Sequence, residues 1–126
     1  MNEKQSGHFI NLSAMWRVVG EASRKPIQLN AMDWASESLP LALSRKFNQP
    51  SNLEADSGIF LELVGLPAGT AVGINGQSLG CCGVAKSEFE VTKLIVVGQN
   101  VIELMVAELV LGEMEELASR VRLKLI

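Results

Sequence analysis

The sequence predicts an all-β domain built as an antiparallel β-sandwich, and three observations carry that prediction. Short apolar runs are separated by clusters of turn-forming residues rather than spaced with a helical period. Asn75-Gly76 lies between two apolar segments, and both residues tolerate the positive φ that a tight hairpin requires. Arg120-Val121-Arg122-Leu123-Lys124-Leu125 alternates basic and apolar side chains with the period of a strand. Strands in succession, with at most one short helix, suit a sandwich rather than alternating strand and helix units.

The 126 residues, 48% of them hydrophobic, are enough to bury one core. Residues 1–8 read as a flexible N-terminal tail and 9–126 as a single sandwich domain. Phe9-Ile10, Leu12 and Met15 form the first apolar cluster, and Trp16-Arg17-Val18-Val19 reads as a strand, because an aromatic and two β-branched residues fit a half-buried pleated surface. Gly20 to Pro26 is a polar connection. From Ile27 to Leu43 the pattern is mixed, and Pro40 bars one continuous helix, so the segment reads as loop with short strand pieces. Arg45-Lys46-Phe47 is a further strand, closed by the turn residues Asn48-Gln49-Pro50-Ser51-Asn52.

The second half is plainer. Gly58 to Val64 is a nearly continuous apolar strand, broken by Gly65-Leu66-Pro67-Ala68-Gly69. Thr70 to Ile74 and Gln77 to Leu79 are the arms of the Asn75-Gly76 hairpin. Glu88 to Thr92 alternates as a strand, and Gly98-Gln99-Asn100 turns the chain into Val101 to Val106. Between Ala107 and Ser119, the residues Leu109, Glu113, Met114 and Leu117 suit one short helix, which Gly112 weakens.

Charge and composition narrow the function classes. Eleven basic and fourteen acidic residues leave a formal charge of -3, and the pI is near 5.2. A broad phosphate-binding surface is therefore not expected, nor is nucleic-acid binding. No run approaches the roughly 18 apolar residues of a membrane span, and the polar start lacks the apolar core of a secretory signal. A soluble cytoplasmic protein is the expectation. Cys81 and Cys82, the only cysteines, are neighbours; a disulfide between them would need a strained ring, so free thiols are expected.

Four segments in order carry a resemblance. They are Phe60-Leu61-Glu62-Leu63-Val64-Gly65-Leu66, Ala71 to Gly80 with its central Asn75-Gly76, Phe89-Glu90-Val91-Thr92-Lys93-Leu94, and Gly98-Gln99-Asn100-Val101-Ile102-Glu103-Leu104. Together they resemble the sugar-binding domain of glycoside hydrolase family 2, a jelly roll of the galactose-binding-domain-like type. The resemblance implies a non-catalytic module that binds carbohydrate or supports a neighbouring catalytic domain. Two departures stand out. The stretch Cys81-Cys82-Gly83-Val84-Ala85-Lys86 is shorter than that family's glycine-rich segment and lacks its aromatic residue. The family's catalytic barrel, which needs about 250 residues, has no counterpart.

Candidate chemistry is sparse. The lone His8 falls in the expected tail and supports no nucleophile and base arrangement. Glu62 and Glu103 could approach as a glycosidase carboxylate pair, although solvent-facing strand positions are the simpler reading. Two cysteines without a second ligand cluster fall short of a metal site, and no cofactor is expected. Sugars stack on exposed aromatics; the chain has no Tyr, two Trp and four Phe, and Trp34 in its polar surroundings is the candidate, with core packing as the alternative. Arg120, Arg122 and Lys124 form a basic stripe that could meet an anionic sugar, a phosphate or an acidic partner, or could guard an exposed edge strand against self-pairing. The expectation is thus a binding or interaction module for a carbohydrate or a protein, with an accessory subunit completing or supporting a partner glycosidase or other enzyme as the alternative. Homodimerisation through a sandwich face or edge is a further expectation for so apolar a chain.

Overall fold

The computed structural model describes residues 8–50, 58–82, 85–108 and 118–126. Among them run nine strands: β1 (His8–Asn11), β2 (Arg17–Val18), β3 (Leu41–Asn48), β4 (Ile59–Val64), β5 (Thr70–Ile74), β6 (Gln77–Cys82), β7 (Ser87–Glu90), β8 (Gln99–Val106) and β9 (Arg120–Leu125). A four-stranded sheet in the order β1-β9-β4-β7 faces a five-stranded sheet in the order β2-β3-β8-β5-β6, and every pairing is antiparallel. The expected all-β sandwich is the fold. Residues 1–7, the turn positions Ser51 and Asn52, Gly83-Val84 and the expected helix around Leu109, Gly112, Glu113, Met114 and Leu117 lie outside the described residues.

The core follows from strand alternation. In β8, Asn100, Ile102, Leu104 and Val106 point inward while Glu103 and Met105 point out. In β4, Ile59, Leu61 and Leu63 point inward. Trp16, Leu43, Leu61, Leu63, Leu104 and Leu123 are essentially inaccessible, each contributing about 1.5–3 kcal/mol of transfer free energy. The indole Nε1 of Trp16 donates to Leu12 O at 2.6 Å.

Local chemistry fixes the connections. Asn75 has φ 50° and Gly76 φ 83°, the two positive values of a type I′ turn, whose twist matches that of the flanking strands. Asn75 does more than turn the chain. Its Nδ2 donates to Leu94 O and Asn100 Oδ1, both at 2.8 Å, while its Oδ1 accepts from Val101 N at 2.9 Å. Asn100, fully buried, accepts from Val96 N at 2.8 Å and donates to Val96 O and Gly98 O. The hairpin and the Gly98-Gln99-Asn100 turn are therefore one hydrogen-bonded unit. Thr92, expected to end the strand from Glu88, lies two residues past the end of β7, and its Oγ1 accepts from Ile59 N at the start of β4 at 2.9 Å.

Several bounds differ from the sequence reading, each for a local reason. His8 opens β1 opposite Leu125 instead of belonging to the tail, because Phe9 to Asn11 find partners on β9. β3 begins at Leu41, directly after the proline, and pairs along its whole length with β8. β6 continues to Cys82 through a bulge opposite Val72 and Gly73, where Gly80 takes φ 129° and lies 3.5 Å, at an added Cβ, from the Phe89 ring. Gly98, at φ 92°, makes the turn alone, so Gln99 and Asn100 already belong to β8. The segment from Ile27 to Pro40 holds two single 3₁₀ turns, Leu29–Ala31 and Trp34–Ser36.

Cys81 and Cys82 are free thiols on opposite faces of β6, the first exposed and the second buried. Burial, reinforced by the neighbouring Cys81, pushes the Cys82 thiol up to about 11. Ellman's reagent at pH 8 is expected to titrate one thiol in the folded chain and two in denaturant, because only a thiolate attacks.

Candidate functional site

Outward-facing side chains build two unlike surfaces. On the four-stranded sheet, Glu62 stands opposite Arg122 of β9 and Glu88 of β7. Arg122 Nε donates to Glu62 Oε1 at 2.5 Å, and Lys86 Nζ lies 3.3 Å from Oε2. The guanidinium of Arg122 also sits 3.8 Å above the Phe9 ring. One row along, Lys124 Nζ pairs with Glu88 Oε2 at 3.0 Å and lies 5.7 Å from the Phe60 ring.

This arrangement corrects the expectation that Glu62 faces solvent. The carboxylate is only 3% exposed, because the Arg122 and Lys86 side chains lie over it. Burial pushes its pKa up, but hydrogen bonds and charge from Arg122 and Lys86 together outweigh burial and hold it below the usual carboxylate value. The unfolded chain therefore takes up this proton first as pH falls. The stability Glu62 supplies is complete above its unfolded pKa of about 4.3 and is lost as pH drops through the lower folded value. Glu62→Gln is expected to cost about 1–3 kcal/mol at pH 7, toward the low end because both cations are part-exposed. It is also expected to flatten the acid limb of a urea-midpoint against pH curve.

The basic stripe is likewise relocated. β9 is an inner strand of its sheet, flanked by β1 and β4, so it guards no edge. Arg122 and Lys124 are committed to carboxylates, while Arg120 is exposed. Arg120 and Arg122 line a polar pocket of about 220 Å³ with Phe9, Asn11, Ser13 and Asn30.

Trp34 does not offer a ring to a sugar. It is 5% exposed, and its Nε1 donates at 2.9 Å to Ser119 Oγ, which donates in turn to Gly65 O at 2.6 Å. The indole is a core residue.

The outer face of the five-stranded sheet is different in kind. A groove of about 380 Å³ is floored by Ala42, Ala71 and Gly73 and walled by Val19, Met105 and Glu103. Val19 and Met105 are 56% and 43% exposed. Glu103 thus lies on the opposite side of the sandwich from Glu62, and the two carboxylates form no pair across a cleft. Among the described residues, no group of three or more His, Cys, Asp or Glu is placed to hold a metal ion, and no helix is long and apolar enough to cross a membrane.

Two signals for these surfaces were present in the sequence. Glu62 is the single charge in an apolar strand, and such a carboxylate requires a facing cation. Ala42, Ala71, Gly73 and Met105 occupy outward positions where strands of a one-sided sheet ordinarily carry polar side chains.

The sequence matches no protein-family model and no curated protein. The fold has clear counterparts among solved structures. A β-glycosidase from Bacteroides vulgatus superposes with TM-score 0.71 at 18% identity over 94% of this chain and 20% of its own. An FMN-binding β-glucuronidase from Facaelibacterium prausnitzii L2-6 gives 0.68 at 16%, over 96% of this chain and 23% of its own. Bifidobacterium dentium β-glucuronidase, complexed with coumarin-3-O-glucuronide, gives 0.62 at 22%, over 84% and 21%. The likeness is one of fold, and this chain spans about a fifth of the length of each of these three.

Proposed function

We propose that the chain is a non-catalytic interaction module, of the kind represented by the sugar-binding domain of glycoside hydrolase family 2, which docks on a protein partner through the outer face of its five-stranded sheet. The observation that carries this reading is the groove. Exposed Val19 and Met105 border a floor of Ala and Gly that a partner side chain can enter, and covering them removes apolar surface from water. Glu103 at the wall favours a partner segment presenting an apolar side chain beside Lys or Arg. The accessory role is supported by the glycosidase structures in which the same fold occupies about a fifth of the chain. The separation of Glu62 from Glu103 supports the non-catalytic part.

The test is co-purification from the native cell with wild-type, Met105→Lys and Glu103→Lys chains, with the captured protein identified and its affinity measured. Each variant is expected to weaken binding by about tenfold or more, or about 1.4 kcal/mol, with an unchanged melting temperature. Equal capture by all three overturns the docking face. Hydrolysis of chromogenic glycosides by the pure chain, abolished by Glu62→Gln or Glu103→Gln, overturns the non-catalytic reading.

One observation favours a second reading, weak carbohydrate binding. Asn11, Asn30 and Arg120 bring hydrogen-bond donors, one of them cationic, to a pocket beside the half-exposed Phe9 ring, a set suited to an acidic sugar. On this reading glucuronate, but not glucose, shifts the NMR signals of the pocket residues, and Arg120→Ala removes the shift.

A further inference from the structure

Asn75-Gly76 is the one Asn-Gly sequence in the chain, and the dipeptide has an intrinsic chemistry of its own. With no side chain on Gly76 to hinder it, the Gly76 nitrogen can attack Asn75 Cγ. A nitrogen–carbon bond forms, the Cγ–Nδ2 bond breaks, and ammonia leaves carrying the proton released by the Gly76 nitrogen. Water then opens the resulting succinimide at either carbonyl, giving Asp or isoaspartate, with no oxidant or reductant involved.

In the folded chain every arm of that carboxamide is engaged. Nδ2 donates to Leu94 O and Asn100 Oδ1, and Oδ1 accepts from Val101 N. The main chain is held as well, Asn75 N donating to Val101 O at 2.9 Å. Turning Cγ toward the Gly76 nitrogen breaks all three side-chain bonds, and one of their partners, Asn100, is fully buried. We propose that Asn75 is a deamidation site kept latent by this network and released only when the hairpin tip opens.

The product is ill suited to closing again. Asp at this position has no N–H to give Leu94 O or Asn100 Oδ1 and sets a carboxylate against two acceptors. Isoaspartate adds a methylene to the backbone of a two-residue turn whose length sets the register of β5 and β6. Opening of the tip is thereby made permanent. Gly73, Gly76, Gln77 and Ser78 line the groove, so the modification also alters that wall.

The experiment follows the one-dalton mass gain on the tryptic peptide containing Asn75 at pH 8.5 and 37 °C. Wild-type chain is incubated folded and in urea, beside Asn100→Ala folded and Gly76→Ala in urea. Asn75 is expected to react at least tenfold faster in urea than in the folded chain. Asn100→Ala is expected to react faster than folded wild type, and Gly76→Ala to slow the urea reaction. Equal wild-type rates with and without urea, or no reaction in urea, overturn the proposal. An Asn100→Ala chain that is folded by circular dichroism yet as inert as wild type removes the network as the gate; should it not fold, the wild-type comparison decides alone. Asn75→Asp, made directly, is expected to lower the urea midpoint, and an unchanged midpoint refutes the permanent opening.

Discussion

Asn100→Leu is expected to lower the unfolding free energy by about 2–4 kcal/mol. The substitution keeps the branched heavy-atom skeleton, with somewhat bulkier methyl groups, but strands three main-chain groups, Val96 N–H, Val96 O and Gly98 O, together with one N–H of Asn75. Val96 and Gly98 are exposed and regain water in part, which keeps the loss below the sum of four separate penalties. Against a total stability of about 5–15 kcal/mol for a domain, the change is large. The check is a urea titration in which the midpoint falls while the slope is unchanged. Asn100→Asp makes a sharper control. It retains the acceptors but loses both donations, and it buries a carboxylate facing Val96 O and Gly98 O. That carboxyl is held protonated to higher pH in the folded state than in the unfolded, so this variant gains stability as pH falls, the opposite sense to Glu62.

Trp16→Ala is expected to cost about 3–5 kcal/mol, the range for deleting a large ring from a packed core. Trp16 is fully buried, and its main chain bonds Ile27 in both directions, at 3.0 and 2.7 Å. Trp16→Phe divides the effect. It fills much of the volume but leaves Leu12 O without its indole donor, for a loss of about 1–3 kcal/mol. Trp34, the other tryptophan, reports unfolding in both variants by fluorescence, since its buried indole enters water when the core opens.

Strands written in local patterns were legible in the sequence. β9 follows from a period-two pattern, β4 and β8 from apolar runs bounded by turn residues, and the Asn75-Gly76 hairpin from one turn dipeptide, and together they hold the core. What depends on distant partners was not. β1 is four residues long and is a strand only because β9 receives it. The indole of Trp34 is satisfied by Ser119, 85 residues away, so polar sequence neighbours said nothing of its burial. The bulge at Leu79 and Gly80 leaves no local signature beyond a glycine. For the surfaces, the basic stripe was visible as a stripe, but its meaning depended on register. Arg122 opposite Glu62 makes a covered ion pair, and a one-residue slip would have turned the same side chains into the core.

The place of β9 also bears on the order in which the molecule can assemble. All five strands of the larger sheet are encoded before residue 107, whereas β9 is the last strand described and yet sits between β1 and β4. Ser13 and Val121, joined by hydrogen bonds at this seam, are 108 residues apart in the chain. As the polypeptide leaves the ribosome, the larger sheet can therefore pair first while β1 and β4 wait with unsatisfied edges. The second layer locks only when the closing segment arrives, the long-range pairing that makes such topologies slow folders and exposes them to aggregation meanwhile.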